Sequence, residues 1–369
     1  MILNKYIFKD ILKVQMICLV ILFAIFLCQT LIKTLGMVTS GSVPVGVLTE
    51  LVFYSMPSIG FVLIPLTLYV GIIISLSRMS SESEMVVMKS VGISTARIMR
   101  IALLIACFSA VLTGVNSLYL LPKATFEQKN LQETAQTNPQ YLPIESGKFT
   151  EFGDYTIYIQ ELEDSSKNDK HMKNIYIIKS ISNIRGVNEP LFLSATKGHM
   201  SYDKDGVQWL NLEKGFVYQN ESHQANLKKT AYSTLALPLF SADDDHSDST
   251  LKSTPTSDLL KAKDLGSKLE LQWRISSIFA CFIFAVIAIP LSMVNPRQGK
   301  FARLGPAIIL FVCYYLALIG MRNIVNSGKI PIYPGLYLVP IVFFIFVAVP
   351  LNIERKRGGK KKKALVKNK

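Results

Sequence analysis

The hydrophobic pattern divides the chain into three parts. Uncharged runs cover Val14–Ile32, Leu51–Ser77 and Ile101–Pro122, and three more cover Ile275–Pro296, Leu304–Met321 and Ile330–Ile353. Each lasts roughly 18–27 residues without Asp, Glu, Lys or Arg, the length a helix needs to cross a bilayer. Between the third and fourth runs, Lys123–Trp273 is polar and patterned for strands. The pattern predicts an α-helical membrane protein with a β domain: six transmembrane helices, 3+3, with the β domain inserted between helices three and four. The expected divisions are 1–122, 123–273, 274–354 and a polybasic tail over 355–369, with a short surface helix at 81–92.

Within the helical part, the first run follows Lys5, Lys9 and Lys13 and ends at Lys33. It is too long for a signal-peptide core and reads as a retained helix. The second run holds Pro57 and Pro65, which membrane helices tolerate because neighbours re-satisfy the freed carbonyls.

The insert opens with a helical stretch, Ala124–Gln136. Strand signals follow at Thr156–Ile159, Ile175–Ile178, Met200–Tyr202, Val207–Leu210, Gly215–Tyr218 and Tyr232–Leu237, with Asp205-Gly206 as a hairpin turn. Short strands at this spacing predict a sandwich or jelly roll. Asp243–Asp248 reads as a solvated acidic loop without the spacing of a calcium loop.

Charge sharpens the division. The insert carries 17 Lys+Arg and 21 Asp+Glu, and the rest of the chain 23 and 5. The overall +14 therefore belongs to the membrane flanks and is not the basic stripe of a nucleic-acid binder. Bases cluster at Lys5–Lys13, Arg78–Arg100, Arg297–Arg303 and Arg355–Lys369, whereas loops 34–50 and 323–329 hold only Glu50 and Lys329. The positive-inside rule makes both termini cytoplasmic and the insert, after three spans, extracytoplasmic. Only 18% of residues are charged, 50% are hydrophobic and the mean hydropathy is +0.33, values outside the soluble range of about 25% charged.

Candidate chemistry is sparse. There is no Walker A, HExxH or GxSxG sequence, and His171, His199, His223 and His246 are scattered through the insert. All five cysteines lie in apolar runs, where they act as small hydrophobes. No catalytic residue or metal site is expected.

Two features remain. In the basic loop after the second run, Ser81-Glu82-Ser83-Glu84 has the spacing of a capping box, Met85-Val86-Val87-Met88 follows, and Gly92 suits a C′ position. The acids Glu82 and Glu84 either serve the helix dipole or present carboxylates, with Met85 and Met88, to an arginine-bearing partner. At the opposite membrane face stand Lys33, Lys123, Arg274 and Arg322. They either snorkel to headgroups or form a ring of cations for a phosphorylated lipid. Glu270 is placed to engage Arg274 as an i,i+4 pair.

The segments Tyr6 with Gln15, Phe26–Lys33, Ser81–Met88 with Gly92, Leu269–Ile275, and Pro290–Ser292 with Asn295–Gly299 resemble the LptF/LptG permease family. The Asn295–Gly299 segment is nearer its LptF branch. The resemblance spans the whole chain. It implies a permease subunit of the ABC exporter that extracts lipopolysaccharide from the inner membrane of Gram-negative bacteria. The insert would be a periplasmic β-jelly roll handing lipid to LptC. The loop helix would dock on the LptB ATPase dimer, with Glu84 as the matching acid. Helices one and five would gate against LptG, with Lys33 at the outer end. The chain itself would be no enzyme and bind no cofactor, ATP and Mg residing on LptB. A permease that signals across the membrane without moving lipid is the alternative. An ion-coupled carrier is disfavoured because no run holds a mid-membrane ionisable residue.

Overall fold

The computed structural model describes residues 2–39, 43, 45–92, 94–137, 146–152, 155–166, 169–182, 188–202, 208–220, 227–238, 246–293 and 303–353. The Asp205-Gly206 turn, Asn295–Gly299, Asp243–Asp245 and the tail over 355–369 lie outside these. The chain forms two compact units, one of Met1–Gln29, Ser55–Phe126 and Asp248–Lys369, the other of Thr30–Tyr54 and Glu127–Ser247.

Among the described residues, six helical stretches are long and apolar enough to span: Ile2–Thr39, Val45–Ser81, Thr95–Gln132, Leu265–Ser292, Leu304–Asn326 and Gly335–Ile353. Several outrun their uncharged cores. Helix α1 (Ile2–Thr39) already includes Lys5, Lys9 and Lys13, and α2 is Leu48–Ser81. The third span is a continuous rod of α4 (Thr95–Val115), a π turn (Asn116–Leu120) and α5 (Leu121–Thr137). It passes through Pro122, where the uncharged run ended, because a side chain from a neighbouring helix compensates for the proline. Pro122 has no N–H for the carbonyl of Leu118, and Thr256 Oγ1 donates to that carbonyl at 2.6 Å. The same device serves Pro290 of α8 (Leu265–Ser292). Four residues earlier, the Val286 carbonyl accepts a long bond, 3.4 Å, from Asn352.

Burial ranks the helices of the first unit. In the most apolar window of α2 and of α8, 67% of residues are buried, against 11% for α1 and 22% for α9 (Leu304–Asn326). Phe284 of α8 lies at the centre, touching Tyr69, Phe311 and Tyr314 at ring separations of 4.9–5.1 Å. Helix α1 still crosses α2 closely: a Cβ on Gly71 would stand 3.0 Å from Gln15 Cα, so a larger residue would have to push the helices apart by a few tenths of an ångström. Before α8, α6 (His246–Ser253) and α7 (Thr256–Lys261) lead to Asp264, whose side chain accepts the amide of Ser267 at 2.8 Å. That N-cap bond holds the Asp264 carboxyl below its ordinary pKa.

In the second unit, six strands form one antiparallel sheet in chain order: β1 (Phe149–Phe152), β2 (Tyr155–Ser166), β3 (Asp169–Ser182), β4 (Asn188–Tyr202), β5 (Gln208–Asn220) and β6 (Leu227–Pro238). Among the described residues the strands pair as a meander, in the β domain that the pattern predicted. The strands match the expected six in number but are longer and differently divided: Val207–Leu210 and Gly215–Tyr218, expected as two, have their described residues in β5 alone, and β1 was not among those expected.

The reason is a crease. Gln160, Asn174, Thr196, Lys214 and Ser233 stand in line across β2–β6, and no ladder pair forms at any of them. Asn174 and Lys214 have φ of 53° and 50°. A left-handed residue inside a strand resets the alternation of faces. Buried positions accordingly change parity: Ile157 and Ile159 are followed by Leu162, Leu193 and Ala195 by Met200, Leu210 and Leu212 by Val217. One apolar face therefore continues through the bend. Two glycines make room beside it. A Cβ on Gly198 would meet Ile175 Cδ1 at 2.4 Å, and one on Gly215 would meet the Tyr232 hydroxyl at 2.3 Å. The opposite face carries an aromatic row, Phe149, Tyr158, Tyr176, Phe192 and Tyr218, with neighbouring rings 4.9–6.2 Å apart.

Candidate functional site

The short helix after α2 is α3, Glu84–Ser90, narrower than the expected 81–92. The capping box does not form. Ser81 belongs to α2, where its hydroxyl donates to Arg78 O, and the N-cap is Ser83, with φ 61° and no side-chain cap. The α2 helix claims Ser81 because its preceding residues continue without a break. Gly92 does take φ 90° beyond the C-cap Val91, as its sequence position suggested.

The methionines face inward. Met85 is 2% and Met88 6% exposed, and both join the helical core, three residues apart on one face. The outward apolar residues are Val86, Val87 and Val91. This corrects the expectation that Met85 and Met88 are the surface offered to a partner: they seat α3, and the valines are what it presents.

Both acids have partners within the chain. Tyr6 OH donates to Glu84 at 3.2 Å, and Arg78 Nη1 contacts Glu82 at 3.1 Å. The other end of the Arg78 guanidinium holds Asp10 at 2.9 Å, and Ser75 donates to the same carboxylate. Asp10 ties α1 to α2 and was not singled out from sequence, although it is an isolated acid among three N-terminal lysines. Exposed pairs like Arg78–Glu82 contribute only about 0–1 kcal/mol, so a partner's cation could displace them at little cost.

The expected ring of bases separates into different situations. Arg274 is 0% exposed. Its Nε binds Glu270 at 3.3 Å, Nη1 reaches Thr254 O and Thr256 Oγ1, and Nη2 reaches the carbonyls of Leu251, Lys252 and Thr254. The Nη donors pin the α6–α7 connection to α8 and the Nε holds Glu270 within α8, so every nitrogen is engaged inside the chain. Arg274 is a structural latch, and its proposed place in a headgroup site is withdrawn.

Glu270, 1% exposed, also receives Arg322 of α9 at 3.1 Å. Two guanidinium groups thus share one carboxylate, leaving one net positive charge. Arg322 retains 17% exposure and lies 5.4 Å from the Trp273 ring, which stacks on Phe61 of α2. Lys33 of α1 and Lys123 of α5 are exposed. Beside this cluster, Gln272 holds the entry to the sixth span: its Nε2 donates to Ile332 O and its Oε1 accepts the Leu336 amide, both at 2.9 Å. Among the described residues, no group of His, Cys, Asp or Glu is arranged to hold a metal ion.

Six spans and a β domain in chain order between the third and fourth define a multi-pass membrane protein. The chain belongs to the LptF/LptG family: residues 5–353 match the family described as lipopolysaccharide export system permease LptF/LptG. It is similar to the lipopolysaccharide export system permease protein LptF of Escherichia coli strain K12, with 28% identity over 364 residues, 96% of this chain and 95% of that one. The Shigella flexneri protein of the same name matches with the same identity and coverage. The family and the six apolar helices make this a multi-pass inner-membrane protein.

Proposed function

We propose that this chain is the LptF-type subunit of an ABC transporter that extracts lipopolysaccharide from the inner membrane and passes it to a periplasmic bridge. The observation that carries the reading is the poor burial of α1, α9 and the sixth span. An apolar helix with 11% or 22% of its core window buried leaves most of its surface for lipid or another subunit. In this reading α1 and α9 flank a lateral opening shared with LptG, and both termini are cytoplasmic. The β domain, over about 123–273, is periplasmic and meets LptC.

ATP and Mg bind the separate LptB dimer, and this chain supplies no catalytic group. Helix α3 is the coupling element, with Glu82 and Glu84 beside the exposed valines. Closure of the ATPase dimer moves α3. Because Met85 and Met88 anchor α3 in the core that includes Ile7, Ile11 and Leu76, that movement reaches α1 and α2. The cations Lys33 and Arg322 meet phosphorylated headgroups, whereas the buried Arg274 holds the scaffold. This is a two-state mechanism biased by a ligand bound to another subunit.

The test is photocrosslinking in cells from β6. Leu235 and Leu237 join the apolar face, and Thr234 and Ala236 point away from it. ATP-dependent crosslinks to lipopolysaccharide at Leu235 and Leu237, and not at Thr234 and Ala236, are expected. Crosslinks to protein alone would replace lipid transport with transmembrane signalling.

A further inference from the structure

The α4–α8 side of the bundle carries a cavity that the permease reading does not use. Its volume is about 560 Å³, within the range of small-ligand pockets. Met99, Leu103, Val286, Phe344 and Val349 supply its apolar wall. The cavity lies at one end of the spans: Thr95 is the first residue of α4, Ile353 is the last described residue of the sixth span, and both line it. The first cavity lies between α4 and the sixth span with Val286 of α8 between them, and a second of about 480 Å³ lies further along α4 against α8, lined by Cys107, Val111 and Leu118 of the third span. On α8, Ile278, Phe282 and Val286 follow one another at one-turn intervals, the first two in the upper cavity and the last in the lower.

This is a seam inside the membrane-spanning region, almost wholly apolar, closed by polar groups only at the Thr95 end. There Asn352 lines the lower cavity. Arg100 lies four residues after Ala96 and three before Leu103, both lining residues, so it borders the same face of α4. Arg100 is exposed and has no ion-pair partner among the described residues. A long apolar slot bordered by a guanidinium that has no ion-pair partner among the described residues has the chemistry of a chain joined to an anion.

We propose that this seam is a binding site for an anionic glycerophospholipid, one acyl chain lying along α4 against the sixth span and α8 and the phosphate held by Arg100. Guanidinium binds phosphate through paired, charge-assisted hydrogen bonds. The proposal depends on the membrane-spanning helices alone and stands or falls separately from the identity of the transported substrate.

The experiment uses the full chain with whatever subunits stay bound, purified in mild detergent and exposed to an equal mixture of phosphatidylglycerol and phosphatidylethanolamine of the same acyl composition. Retained lipid is measured by native mass spectrometry. The natural chain should retain phosphatidylglycerol preferentially. Arg100→Gln should lower that preference about tenfold, the effect of one lost charge-assisted contact, and still retain lipid. Ala96→Phe, which fills the slot, should remove both lipids, and Arg97→Gln should change neither. Folding of each variant is checked by its thermal unfolding. Equal retention of the two lipids by the natural chain overturns the proposal, as does an unchanged preference in Arg100→Gln. A polypeptide helix or lipopolysaccharide found in the seam of the assembled transporter overturns it as well.

Discussion

Thr256 supplies a donor for the carbonyl of Leu118 at the place where Pro122 removes one. The same hydroxyl accepts a hydrogen bond from Arg274 at 2.9 Å, so one small side chain ties the proline in the third span to the buried latch of the fourth. Thr256→Val keeps the shape and deletes both bonds. It should cost about 1–3 kcal/mol, the penalty for stranding buried polar groups. Pro122→Ala, which returns an N–H to the helix, should recover part of that loss. Thermal unfolding of the single and double variants checks both, and strictly additive effects would separate the two residues.

Glu270 balances two guanidinium groups, and only one of them is closed off from solvent. Glu270→Gln should destabilise the bundle by about 3–5 kcal/mol, because the buried Arg274 then lacks its counter-charge. Arg322→Met should cost clearly less, since Arg274 keeps its carboxylate. Unfolding of both variants in the same detergent ranks them, and the opposite order would mean that Arg322 rather than Arg274 carries the cluster.

Gly215 allows the Tyr232 hydroxyl to pass over β5 and donate to Ser194 O at 2.8 Å. Gly215→Ala should destabilise the sheet by about 1–3 kcal/mol through overpacking, and Tyr232→Phe by about 1 kcal/mol. Burial pushes the Tyr232 phenol up to about 12. A raised pKa stabilises the fold below the ordinary tyrosine value of about 10. That contribution should disappear as pH rises from there to about 12. Difference absorbance near the tyrosinate band, compared with Tyr232→Phe, reads it directly.

The two faces of α3 should separate by phenotype. Val87→Asp and Glu84→Arg should leave thermal stability nearly unchanged and lower ATPase co-purification at least about tenfold, as loss of one good charge contact does. Met85→Asp should instead unfold the bundle, because it puts a charge where a side chain is 2% exposed. Undiminished co-purification and ATPase activity in Glu84→Arg would remove α3 from the coupling path.

Much of this architecture was legible from the order of residues. Six apolar runs around a polar insert fixed the six helices, because a bilayer demands continuous apolar length and a helix satisfies its own backbone. The positions Thr156–Ile159 and Ile175–Ile178 announced strands through β-branched alternation. The Glu270–Arg274 pair followed from helical spacing. Gly92 was recognisable as the end of α3 because few residues other than glycine accept that backbone.

Other features depend on contacts between distant segments. The crease at Asn174 and Lys214 hid in the sequence: each looks like an ordinary polar residue, and the parity change it causes made β5 read as two strands. Only the lining up of five residues across neighbouring strands reveals one bend. Arg274 looked like one of four interfacial bases until its donors were seen to end on the carbonyls of residues 251–254. Met85 and Met88 looked like exposed hydrophobes because α3 is short, and no periodicity says which side of seven residues meets the bundle. Spacing along the chain sets which residues share a face. Only the packed structure decides which face is buried and which charges meet each other, because burial and pairing energies depend on neighbours far away in sequence.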